Sequence, residues 1–228
     1  MNLPTLQTSN AGRDGVEPIT GLILAGGRGT RMGSVDKGLQ PFRGGPMVLQ
    51  VLQRLQPQVA SLMINANRNQ AAYAAFGAPV WPDAMADFPG PLAGLQTGLL
   101  HCRTPLLVTA PCDSPFLPAD LVARLADALH AEGADVAIAV TGPADALQSH
   151  PVFCLAKTSV LPHLSAFLAA GGRKVDAWFA TLPLARVHFA DEDAFRNINT
   201  LDELQRFDDS NGAPEGTPTS QSSLIRPS

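Results

Sequence analysis

Residues 19–38 read I-T-G-L-I-L-A-G-G-R-G-T-R-M-G-S-V-D-K-G. The first six are apolar or β-branched and predict a buried strand over 19–24. A glycine-rich segment follows at once, with Gly26, Gly27, Gly29, Gly33 and Gly38 interleaved with Arg28, Arg31 and Lys37. In open α/β sheets, ligands bind beyond the carboxyl ends of strands, where a loop can turn its amides outward into an anion-binding nest. Glycines permit the positive φ angles and close approach that such a nest needs. Composition and position together predict a triphosphate cradle. The plainer alternative is a surface loop with solvated arginines; the order strand, glycine loop, spaced cations and turn over 38–46 weighs against it.

Two commoner phosphate motifs are excluded. A Walker A loop needs G-x-x-x-x-G-K-[ST], but Met32 stands at the required glycine and no Gly-Lys pair follows. The dinucleotide fingerprint G-x-G-x-x-G fails at Met32 as well. That fingerprint also expects an acidic residue about 20 positions on, and none occurs between Lys37 and Asp83. Nicotinamide chemistry is therefore not expected.

Outward from this segment, short apolar runs at 62–65, 106–109 and 136–140 read as further buried strands. Helical patterns intervene at 47–55, 92–100, 118–130 and 159–170, each opened or closed by Pro or Gly. The alternation predicts a mostly parallel central sheet with helices on both faces. Residues 152–155 and 185–189 add later strands, one of which could be an antiparallel edge. Thr200 with Glu203 matches a capping box for a last helix ahead of Leu204 and Phe207. Residues 1–18 and 209–228 are polar and rich in Gly and Pro, which predicts two flexible tails around a single domain over 19–208.

The chain has 228 residues, 45% of them hydrophobic and 16% charged, a globular composition. A net charge of -4 argues against general affinity for nucleic acid, so bound phosphate must sit in a local site. The three cysteines, Cys102, Cys112 and Cys154, form no C-x-x-C pair, and the five histidines show no zinc spacing. The odd cysteine count, the polar N-terminus and the lack of an apolar run of about 18 residues lead us to expect a cytoplasmic protein with no membrane association.

Asp113 follows the run at 106–109 and should project at the carboxyl edge of the sheet, where a carboxylate suits a hard cation such as magnesium. A turn or helix cap is the other use of Asp before Ser-Pro. Cys112 beside it is read as a small buried hydrophobe, because no motif supplies the base that a cysteine nucleophile needs.

The stretch L-A-G-G-R-G-T-R-M-G-S-V-D-K-G-L resembles the signature of the molybdenum cofactor guanylyltransferases, within the wider GT-A-like nucleotidyltransferases. Further matches are I-N-A-N-R at 64–68, P-D at 82–83, P-G-P-L-A-G at 89–94, P-C-D-S-P-F at 111–116, H-P at 150–151 and N-I-N-T at 197–200. The resemblance covers roughly residues 19–207. It implies a Rossmann-like nucleotidyltransferase fold that joins the GMP part of GTP to molybdopterin and releases pyrophosphate. It further implies magnesium on Asp113, GTP contacts at Leu24, Ala25, Gly26, Gly27, Lys37, Asn65, Asp83 and Asp113, and catalytic work by Arg31, Lys37 and Asp113. Other molybdenum cofactor biosynthesis proteins would be the handling partners. A carboxylate such as Asp83 can accept the adjacent N1-H and N2-H donors of guanine together, although the sequence leaves open which of Asn65 and Asp83 touches the base. His150 would orient a loop, Asn197 and Asn199 would serve the site or cap a turn, and Gly171-Gly172-Arg173-Lys174 would be a solvated turn or a phosphate site. A sister enzyme using CTP or a sugar phosphate, and a non-catalytic nucleotide-binding module, are the alternatives.

Overall fold

The computed structural model describes residues 17–25, 36–84, 90–198 and Glu203. A seven-stranded sheet is built on β1 (Ile19–Leu24), with β4 (Ser61–Asn65) and β5 (Val80–Trp81) on one side and β6 (Leu106–Pro111) on the other. All these pairings are parallel. Beyond β6 the sheet continues through β8 (Gln148–Lys157), β7 (Val136–Thr141) and β9 (Leu184–His188).

Strand β8 runs antiparallel to both neighbours, yet it lies inside the sheet. The edge on that side is β9, which pairs parallel with β7. The short link over 142–147 explains the direction: a chain that turns straight back can only pair antiparallel, whereas a parallel return needs a long crossover.

Alternation along the strands divides the core between two faces. Ile19 and Ile23 of β1 face α1 (Met47–Leu55) with Val51, Leu52 and Leu55. Leu22 turns to the opposite layer with Leu92, Leu95 and Leu99 of α3 (Pro91–His101). The first face also takes α4 (Leu121–Ala131), and the second takes α5 (Leu161–Ala169) and α6 (Val175–Phe179). Because both faces are covered, the central strands read as continuous apolar runs rather than alternating ones.

The expected α/β fold is met, with differences at its edges. The helix expected over 118–130 starts at Leu121, because residues 118–120 close a turn in which the Leu121 amide donates to the Pro118 carbonyl. The turn expected over 38–46 contains a hairpin of β2 (Pro41–Phe42) and β3 (Gly45–Pro46), whose Phe42 packs with Met47, Phe116 and Ile198. The segment of α2 (Gln70–Ala74) was not anticipated. Residues 1–16 and 209–228, and the proposed cap residue Thr200, lie outside the described residues. Among the described residues, no helix is long and apolar enough to cross a membrane.

Candidate active site

Leu24 pairs in register with Asn65 on one side and Pro111 on the other, so β4, β1 and β6 end level. The chain steps from β1 outward through β4 and β5, then returns to place β6 on the far side of β1. The connections thus diverge between β1 and β6, the crevice in which ligands of open α/β sheets bind. Main-chain bonds lock this edge: the Ala25 amide donates to the Asn65 carbonyl at 2.8 Å and the Cys112 amide to the Leu24 carbonyl at 3.1 Å.

On the β4 side, Asp83 is held by two amide side chains. Asn65 Nδ2 donates to Oδ1 at 2.9 Å and Asn67 Nδ2 to Oδ2 at 2.8 Å, while the Asp83 amide donates to Asn67 Oδ1 at 2.8 Å. Asn65 is 2% exposed and also donates to the Trp81 carbonyl. Its amide therefore aims Asp83, a role that reading it as a nucleotide contact did not include. Asn67 lies within the I-N-A-N-R match, but nothing in its spacing singled it out. Gly94 of α3 lets the helix lie against this group, since a Cβ there would stand 2.5 Å from Asn65 Oδ1 and 2.6 Å from Leu24 Cδ2.

On the β6 side, Lys37 Nζ lies 3.2 Å from Asp113 Oδ2, their side chains 22% and 14% exposed. Asp113 sits on a braced loop. Its carbonyl accepts from the Ile198 amide at 2.9 Å, and Ser114 Oγ donates to Asn197 Oδ1 at 2.5 Å. Asn197 thus steadies the loop that presents Asp113. Lys37 opens a short 3-10 turn (Lys37–Leu39), and Asp36 before it accepts from Tyr73 Oη at 2.6 Å and from Asn69 Nδ2 at 2.9 Å. Cys112 is buried; burial first, then the carboxylates of Asp113 and Asp36, raises its thiol well above the ordinary range, as expected of an inert cysteine.

Across β6 from Lys37, a cleft of about 530 Å³ is lined by Pro111, Thr141, His150, Glu192, Arg196 and Asn197, among others. His150 Nε2 and Thr141 Oγ1 share a 2.8 Å hydrogen bond, and the imidazole stacks on Phe195 at 4.7 Å between centroids. Burial lowers the pKa of His150, partly opposed by Glu192, which favours the neutral ring. The Arg173 guanidinium donates to the Leu168 and Gly172 carbonyls and closes the end of α5.

Of the residues singled out from sequence, Leu24, Ala25, Lys37, Asn65, Asp83 and Asp113 stand along one edge of the sheet. Gly26, Gly27, Arg31 and Asn199 lie outside the described residues. Among the described residues, no three His, Cys, Asp or Glu side chains cluster as a metal cage. Magnesium takes few protein oxygens and relies on substrate phosphates, so the single carboxylate of Asp113 at the strand ends is compatible with it.

A family model described as the MobA-like NTP transferase domain matches residues 21–185. The chain belongs to the MobA-like NTP transferase family. This MobA-like chain is 62% identical over 190 residues to the molybdenum cofactor guanylyltransferase of Cupriavidus necator, covering 83% of itself and 96% of that relative. Among solved structures it is similar to molybdopterin-guanine dinucleotide biosynthesis protein A from Archaeoglobus fulgidus, at a TM-score of 0.68 and 22% identity, covering 85% and 98% of the two chains. The 4-diphosphocytidyl-2C-methyl-D-erythritol synthase of Anaerococcus prevotii is similar at a TM-score of 0.67 and 12% identity, over 86% and 99%. Those two likenesses concern the fold alone, and a MobA-like fold by itself does not set the base.

Proposed function

We propose that the chain transfers the GMP moiety of GTP to a molybdopterin acceptor, forming molybdopterin guanine dinucleotide and releasing pyrophosphate. The observation that carries this reading is the order of groups along the sheet edge. The clamped Asp83 stands beyond β4 and β5, the Lys37–Asp113 pair beyond β1 and β6, and the cleft with His150 beyond β8 and β7. Strands in a sheet lie about 4.8 Å apart, so Asn65 and Pro111, two strands apart, are separated by roughly 10 Å. That order suits a nucleotide laid across the strand ends, with the base at Asp83, the phosphates at Lys37 and the acceptor in the cleft.

The carboxylate of Asp83, both oxygens aimed by asparagine amides, would accept the paired N1-H and N2-H donors of guanine. Adenine offers no such pair. A phosphate oxygen of the acceptor would attack the α-phosphorus, forming a P–O bond as the α–β bridging bond breaks and its electrons leave with pyrophosphate. A phosphate monoester is already ionised near neutral pH, with a second pKa of about 6, so the step requires no dedicated general base. What the protein supplies is position and compensation of charge. Asp113 would hold magnesium, which when bound shields the phosphate charges. Lys37, with the amides of Gly26 and Gly27 and the side chain of Arg31, would neutralise the departing pyrophosphate. Other cofactor biosynthesis proteins would deliver the acceptor and receive the product.

Pyrophosphate release is the test. With magnesium and a molybdopterin acceptor, GTP should support turnover while CTP and ATP do not. Release with CTP in place of GTP would assign the chain to a cytidylyl-transferring sister, and binding without release would make it a nucleotide-binding module.

A further inference from the structure

We propose that Tyr73 and Asn69 are positioning residues for Lys37, acting through the carboxylate of Asp36. Neither belongs to the sheet edge. Tyr73 lies on α2 with its side chain wholly buried, and Asn69 precedes that helix in the left-handed conformation at φ 50°. Tyr73 Oη donates to Asp36 Oδ1 at 2.6 Å and Asn69 Nδ2 donates to Oδ2 at 2.9 Å. Each carboxylate oxygen is thus held by a neutral donor, which fixes its direction and leaves its charge intact.

From that anchor the main chain has little freedom. The Asp36 carbonyl accepts from the Leu39 amide and from Gln40 Nε2, setting the 3-10 turn that Lys37 opens. Gly38 presses against the same tyrosine: a Cβ there would stand 2.5 Å from Tyr73 Oη and 3.1 Å from Cys112 Sγ. A lysine ammonium on a flexible four-carbon stem makes a defined contact only when its backbone is defined. Asp113 is steadied separately, by Ile198 and by the Ser114–Asn197 bond. The 3.2 Å meeting of Lys37 with Asp113 therefore draws on both sets of bonds, and the Tyr73 hydroxyl, which also meets the Cys112 thiol, is the buried end of the first. Phenylalanine would fill the same space in the core, so Tyr73→Phe keeps the packing and removes the hydroxyl's bond to Asp36 together with its contact to Cys112.

The role of Lys37 in turnover rests on the proposed function, but its placement does not, and the experiment separates the two. The chain has only three lysines, Lys37, Lys157 and Lys174. Reductive 13C-methylation therefore yields few signals, with that of Lys37 assigned by its loss in Lys37→Ala. In Tyr73→Phe the Lys37 signal should move toward that of a solvent-exposed lysine while the other two stay in place. With GTP, magnesium and acceptor, kcat/KM for pyrophosphate release should fall about tenfold. Adding Tyr73→Phe to Lys37→Ala should lower it no further. Asn69→Gly, which keeps the left-handed backbone and removes the donor, should repeat both effects in smaller measure. An unmoved Lys37 signal, or an equal loss of kcat/KM with and without Lys37, would overturn the proposal. If the wild type does not turn over GTP, the proposed function fails, and the lysine signals alone decide the positioning.

Discussion

Lys37 and Asp113, 76 positions apart in sequence, meet at 3.2 Å where the strand connections diverge. In the proposed reaction the same ammonium would face phosphate and the same carboxylate would face magnesium. The two partly shielded charges compensate each other across that gap.

Replacing Lys37 by alanine should raise the KM for GTP and lower kcat, since charge on the bridging oxygen grows in the transition state. Loss of one such group costs about 2.7–4 kcal/mol, or roughly a hundredfold to a thousandfold in rate. Stability should change by no more than about 1 kcal/mol, as for a partly exposed ion pair. Steady-state kinetics beside a urea melt measures both, and a variant that unfolds easily yet turns over normally would make the lysine a structural tether.

Asp113→Asn keeps the shape of the side chain, and the bonds that brace its loop are made by its main chain and by Ser114. The variant should therefore melt like the wild type while losing at least about a hundredfold in turnover with magnesium. A magnesium titration should show that excess metal does not restore the rate. Near wild-type turnover would move the metal elsewhere.

GTP should bind at least tenfold more tightly than ATP or CTP, a difference of about 1.4 kcal/mol. Asp83→Asn, which turns one acceptor into a donor, should erase that preference, and Asn67→Ala should weaken it by freeing one of the two oxygens. Calorimetric titration of the three nucleotides decides this; equal affinities in the wild type would remove the carboxylate from base recognition.

Gly94→Ala tests the packing under Asn65. Its methyl would stand 2.5 Å from Asn65 Oδ1, too close to be absorbed without displacing the amide or the helix. Overpacking of this kind costs about 1–3 kcal/mol, and because Asn65 aims Asp83, the affinity for GTP should fall with the melting temperature. An unaltered affinity in a destabilised variant would separate Asn65 from the nucleotide site.

Cys112 should be inert. Its thiol is buried and held in the protonated form by that burial and by two neighbouring carboxylates, and only a thiolate attacks an alkylating agent. Iodoacetamide at about pH 8 should leave Cys112 unlabelled and turnover intact until the protein is unfolded, as read by mass spectrometry of the peptide. Rapid labelling with parallel inactivation would contradict the geometry.

Much of this molecule is written in local sequence. The apolar run Ile19–Leu24 needed only its composition to be read as a buried strand, and α1 and α3 emerged as helices close to their observed bounds. Asp113 could be placed at the strand ends because it follows β6 so closely. What local sequence could not show was how these pieces are held. Tyr73 sits in a short alanine-rich segment with no periodic face of its own, and Asn67 is one polar residue among several.

The amino-acid sequence by itself determined the α/β class, the strand that opens it, the glycine-rich segment after that strand and the types of group offered to a nucleotide, because each is a property of neighbours along the chain. The tertiary structure alone decided that β8 lies inside the sheet and runs against its neighbours, that Asn65 and Asn67 together aim Asp83, that Tyr73 anchors Asp36, and that Lys37 meets Asp113. Those are relations between residues distant in sequence, and they exist only once the packing of both faces has set the register of the sheet.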